Sequence, residues 1–166
     1  MAGTIVNQGS ATSSPGDLKD TLIFTVQNVR LGVPARVLDH VIPMVAITPV
    51  PDAPHGIVGI INYHGDILPV FSFRKYLFLT DKKHEIHDFL LIIRGEQNLA
   101  IIAESISGVF QLEGEMTSPE KITPGMKGIT GIYRCNDGLL VISHLKELID
   151  PGDEEKIQAL REFSDL

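Results

Sequence analysis

The feature that most narrows the fold of this chain is a recurring pair of apolar runs around a short polar turn. In GIVGIINYHGDILPVFSF, residues 56–73, two runs rich in Ile, Val and Phe flank Asn62-Tyr63-His64-Gly65-Asp66. β-Branched and aromatic residues suit a pleated, half-buried strand. Asn, Gly and Asp suit a tight turn. The stretch predicts a β-hairpin. The pattern returns in FLLIIRGEQNLAIIAESISGVFQL, 89–112, around Gly95-Glu96-Gln97-Asn98, and in GITGIYRCNDGLLVISHL, 128–145, around Asn136-Asp137-Gly138. TLIFTVQNVRLGVPARVL, 21–38, reads as strand, polar turn at Gln27-Asn28, and strand.

Helix signals are few. Val37, Leu38, Val41 and Ile42 fall at helical spacing, so that segment reads either as a short helical turn or as a strand. Arg74-Lys75-Tyr76-Leu77 suits one helical turn. ITPVPDAPHG, 47–56, holds three prolines, which remove donors and fix φ, so it reads as a surface loop or sheet edge. EGEMTSPEKITPGMK, 113–127, reads as a long polar loop. Residues 1–20 are rich in Ser, Thr, Gly and Ala without periodicity and read as a flexible N-terminal arm. Asp150-Pro151-Gly152 ends a folded domain at 21–150, and 151–166 reads as a C-terminal helix capped by Asp153, with Ile157, Leu160 and Phe163 on one face. That face either packs on the chain's own barrel or meets a partner.

Many short strands with frequent Gly and Pro imply an all-β barrel or sandwich. One small barrel would use about half of the 166 residues, so two small barrels sharing one core fit the length. No internal repeat aligns.

Composition excludes several functions. A formal net charge of −7 with scattered Lys and Arg argues against nucleic acid or an anionic membrane as partner. No apolar run reaches the roughly 20 residues of a membrane helix, so direct membrane insertion is not expected. The N-terminus lacks a basic-then-apolar signal peptide, which points to a cytoplasmic address. The single Cys135 cannot build a disulfide framework. No phosphate loop, dinucleotide fingerprint or nucleophile elbow occurs. His84 and His87, beside Glu85 and Asp88, have the spacing of a metal pair but sit in a charged connection without a third ligand. His40, His64 and His144 end apolar segments and would form a three-histidine site only if the fold brought them together.

Five elements in order carry a resemblance: LIFTV with LGVP; ITPVPDAP; IVGIINYHGDILPVFSF; LAIIAESISGVFQL; and GITGI with GLLVISHLKELI. From about Thr21 to Ile149 the chain resembles the CheW family of bacterial chemotaxis adaptors. The resemblance implies two packed five-stranded, SH3-like β-barrels with a shared hydrophobic core. It implies a non-enzymatic adaptor, without cofactor, that couples the cytoplasmic tips of chemoreceptors to the regulatory domain of a CheA-type histidine kinase at inner-membrane receptor arrays. A non-motility chemosensory pathway, or competition with the usual adaptor, would use the same fold; a histidine-based metal-binding protein is the alternative of a different class. The partner-binding positions it implies are Leu38, His40, Gly59, Asn62, His64 and Gly65. The family usually reads Asn-x-Arg-Gly where this chain has Asn62-Tyr63-His64-Gly65. It commonly has an acid near His40, retains an acid at the position of Glu104, and has aspartate or asparagine at His144. Arginine offers an always-charged planar fork that histidine lacks. His64 is then either a partner contact or a residue that merely closes the turn.

Overall fold

The alternation of the apolar runs assigns successive residues to two different cores. In the computed structural model, β1 (Asp20–Val26) sends Leu22, Phe24 and Val26 into one cluster and Ile23 into another. β6 (Phe89–Ile93) likewise sends Leu91 and Ile93 one way and Leu90 and Ile92 the other. This is the period of two that a pleated strand imposes. The structure describes residues 20–80, 83, 85–95, 98–112, 116–118, 129–135, 138–143, 155, 156, 158 and 159. Except for Asp20, which opens β1, the N-terminal arm lies outside them, as does His144.

The strands form two sheets. The first contains β1, β2 (Val29–Pro34), β8 (Ser105–Gln111), β9 (Met116–Thr117), β10 (Ile129–Cys135) and β11 (Gly138–Ser143). Its order is β8-β1-β2-β11-β10-β9. The second contains β3 (Leu38–Pro43), β4 (Ile57–Tyr63), β5 (Asp66–Phe71), β6 and β7 (Leu99–Ala103), ordered β3-β6-β7-β5-β4. Each sheet repeats one scheme: two antiparallel pairings, one parallel pairing, then an antiparallel hairpin. The parallel pairs are β2 with β11 and β5 with β7. The two halves therefore share one pairing scheme, which the chain enters at the β1–β2 hairpin in the first and at the edge strand β3 in the second, and β9 is a two-residue addition to the first.

The all-β two-barrel expectation holds. Leu22, Phe24, Leu31 and Val33 of the first sheet and Ile57, Phe71, Leu91, Ile93, Leu99 and Ile101 of the second fill one shared cluster. Each sheet also has its own smaller core: Ile61, Leu68, Val70 and Ile92 in the second, and Ile23, Tyr133 and Leu140 in the first. Burying a large aliphatic or aromatic side chain contributes about 1.5–3 kcal/mol, so the shared cluster holds the halves together.

Local expectations fare unevenly. The segment at 35–43 resolves into a 3₁₀ turn at Ala35–Val37 followed by strand β3. A register shift between Leu38 and His40 breaks the alternation there, and that irregularity mimics helical spacing. The helical turn expected at 74–77 is α1 (Phe73–Tyr76), capped by the Ser72 side chain. The polar loop at 113–127 is interrupted by β9. Of the C-terminal helix, Glu155, Lys156, Gln158 and Ala159 are described and helical, and its expected apolar face lies outside the described residues. Among the described residues, no helix is long and apolar enough to cross a membrane.

Where the chain returns from the second half to the first, one ion pair spans the joint. Arg74 of α1 meets Glu104, between β7 and β8, through Nε–Oε2 at 2.5 Å and Nη2–Oε1 at 3.1 Å. Glu104 Oε1 also accepts from the Gln27 amide in the β1–β2 turn, and Arg74 Nη1 donates to Gln27 Oε1. A bidentate, partly buried fork of this kind fixes orientation as well as charge.

Candidate functional site

The β4–β5 hairpin closes with His64 at φ +52° and Gly65 at φ +91°. Two consecutive positive φ values make a two-residue turn whose twist matches the flanking strands. Gly65 adopts this conformation without strain, and a non-glycine residue there is uncommon. Asn62 Oδ1 accepts from the Gly65 amide at 2.8 Å. The Asn62-Tyr63-His64-Gly65 stretch is thus a built turn with His64 exposed at its tip.

In strand order, β3 and β4 are the two edges of the second sheet, yet the sheet curls until they meet. The Thr48 and Ile60 backbones exchange two 2.9 Å hydrogen bonds, joining the segment after β3 to β4. Gly59 permits this closure: a Cβ there would lie 2.6 Å from Ile47 Cγ2 and would overlap the Thr48 carbonyl oxygen. The same closure places the His40 ring 6.4 Å from Tyr63, whose other neighbour is His64 at 4.4 Å. His40 and His64 therefore flank one tyrosine, on residues 24 apart in sequence.

A charged cluster backs this aromatic row. Arg94, just beyond β6, donates from Nη2 to Asp66 Oδ2 at 2.9 Å and lies 3.9 Å from Asp39 Oδ2. Its guanidinium stands 5.6 Å from the Tyr63 ring centroid, within cation–π range. Asp39 also meets His40 Nδ1 at 3.2 Å. Exposed ion pairs of this type contribute only about 0–1 kcal/mol to stability, so the cluster's consequence is geometric: it fixes a small polar surface around the turn.

Of the six positions implied at the sequence level, His40, Asn62, His64 and Gly65 come together here. Leu38 and Gly59 lie behind them. Leu38 packs against the shared core and Gly59 underlies the closure. Asp39, Asp66 and Arg94 belong to the same surface, with Tyr63 buried beneath it, and these four were not singled out from the sequence. Three of them neighbour residues that were. Arg94 carries only the weak signal of a cation ending an apolar strand. Among the described residues, no group of three or more His, Cys, Asp or Glu is placed to hold a metal ion. The surface offers hydrogen bonds, charge and an aromatic face, which is the chemistry of docking.

Two packed halves, of six and five strands, around a shared core, with a presented hairpin tip, define the class of protein. The CheW-like domain family model matches residues 20–151, and the chain belongs to that family. It is 21% identical over 153 residues to Chemotaxis protein CheW of Klebsiella aerogenes, covering 90% of this chain and 91% of that protein. It is 20% identical over 148 residues to Chemotaxis protein CheW of Helicobacter pylori, covering 86% and 90%. The crystal structure of scaffolding protein TtCheW from Thermoanaerobacter tengcongensis has the same fold, with a TM-score of 0.67 at 22% identity over 76% of this chain and 88% of that one.

Proposed function

We propose that this chain is a non-enzymatic adaptor of a chemosensory pathway, linking the cytoplasmic tips of chemoreceptors to the regulatory domain of a CheA-type histidine kinase. The observation that carries the proposal is the match to the CheW-like domain across residues 20–151. The surface formed by His40, Asn62, His64 and Gly65, over the buried Tyr63, is the proposed partner contact. Its conformation is set by backbone closure and by Arg94, so little ordering remains to be done on binding. Arg94 supplies beside the turn the guanidinium that the resemblance implies at position 64. It reaches the same tip from just beyond β6, with Nη2 donating to Asp66 Oδ2.

Reconstitution tests this proposal. Receptor signalling tips, the kinase and this chain are mixed, and kinase autophosphorylation is followed. Receptor-dependent stimulation that requires this chain is expected. Unchanged kinase activity with and without it would overturn the coupling role.

A further inference from the structure

A second surface lies away from the hairpin tip, at the C-terminal end of α1. The helix stops in a paired hydrogen-bond motif: the Leu79 amide donates to the Arg74 carbonyl at 2.8 Å and the Phe78 amide to the Lys75 carbonyl at 3.3 Å. That motif requires a left-handed residue between helix and exit, a position that strongly favours glycine. Here it is Phe78, at φ +54°. An aromatic side chain in this conformation is strained, and burial does not repay the strain, because Phe78 is 84% exposed. Its ring is nonetheless held in place. It stacks on His55 at 4.9 Å and 27°, and His55 Nε2 is tied to the Tyr76 carbonyl at 3.0 Å.

Phe78 borders a groove of about 430 Å³ with Val58, Leu79 and Ile102 among its walls, a volume typical of clefts that take ligands. Lys75 and Lys83 line it and are exposed. Its two carboxylates are spoken for: Asp88 is buried and accepts from the Glu85 amide, and Glu104 is bound to Arg74. Among the described residues, the charge that the groove shows a visitor is therefore positive, from Lys83 and from Lys75, whose Nζ also donates to the Ile57 carbonyl at 3.1 Å, on a chain whose net charge is −7. We propose that this groove docks an acidic, apolar-faced peptide segment of a protein partner, with Phe78 as the anchor and Lys75 and Lys83 meeting its carboxylates. A held aromatic side chain that can enter a partner's pocket is the usual form of such an anchor. An anionic membrane is the poorer match, because lipid recognition uses clusters of about 4–8 basic residues.

The test pans the immobilised full chain against a random linear peptide library, then measures binding of the enriched peptides by fluorescence anisotropy. Peptides combining Asp or Glu with aromatic or aliphatic residues are expected. Phe78→Gly and Lys83→Glu should each weaken them by about tenfold or more. Glycine suits φ +54°, so Phe78→Gly should keep or raise the melting temperature. A lower melting temperature would make Phe78 a structural residue and overturn the proposal. So would the absence of any enriched family, enrichment without acidic residues, or unchanged binding by both variants. Capture of the chain by phosphatidylcholine–phosphatidylserine vesicles, lost in Phe78→Gly, would reassign the patch to a membrane and equally overturn it.

Discussion

Replacing Glu104 by alanine should destabilise the protein substantially, because it breaks the ion pair that joins the two halves. The change deletes two hydrogen bonds to Arg74 and one from the Gln27 amide. Breaking a fully buried pair costs about 3–5 kcal/mol, because the remaining charge is stranded. Here the two side chains are 14% and 21% exposed, and Arg74 keeps its bonds to Gln27 Oε1 and the Thr80 carbonyl. Water therefore reaches part of the guanidinium, which brings the expected cost down to about 2–3 kcal/mol. For a domain of this size that corresponds to a fall of roughly 4–12 °C in melting temperature. Urea denaturation of Glu104→Ala, Arg74→Ala and the double variant measures the loss and the coupling together. The double variant should lose far less than the sum of the singles. A Glu104→Ala loss below about 0.5 kcal/mol, or additive singles, would show that the pair does not clamp the two halves.

Gly59→Ala should cost about 1–3 kcal/mol, read as a lower urea midpoint, because the obstacle is the Thr48 backbone and cannot swing aside. A midpoint equal to the parent's would mean that β4 can move away from Thr48. Burial pushes the Tyr133 phenol above its ordinary value of 10.0. The unfolded chain then loses this proton first as the medium turns alkaline, so stability that is intact below about pH 10 should decline as pH rises through the raised value. An absorbance titration of phenolate should show a late component that disappears in Tyr133→Phe; its survival in that variant would assign it to another tyrosine.

The hairpins were legible because their information is local. Apolar arms and turn residues such as Asn62 and Gly65 lie side by side in the sequence, and the structure uses them as read. The parallel pairings were not legible. Val70 meets Ala100, and Leu31 meets Val141, across long intervals that no nearby residue marks. The same limit applies to the site. His40 and His64 are both candidates in the sequence, but their common neighbour Tyr63 follows from closure of the sheet. Arg94 reaches Asp66 only because β6 runs beside β3 and the far edge curls back to it. Phe78 was unreadable for a different reason. Glycine would have signalled the end of α1, and a phenylalanine in that place looks like one more core residue.

Isothermal calorimetry against a CheA-type kinase regulatory domain from the same organism tests most directly whether the hairpin tip is a partner contact. The parent chain should bind with a dissociation constant on the order of micromolar, as expected for a small, exchanging interface. His64→Ala and Arg94→Ala should each weaken binding by about tenfold. Their melting temperatures should stay within a few degrees of the parent's, because the exposed His64 and the half-buried Arg94 hold little of the core. Absence of binding by the parent, or full affinity in both variants, would contradict the assignment of this surface.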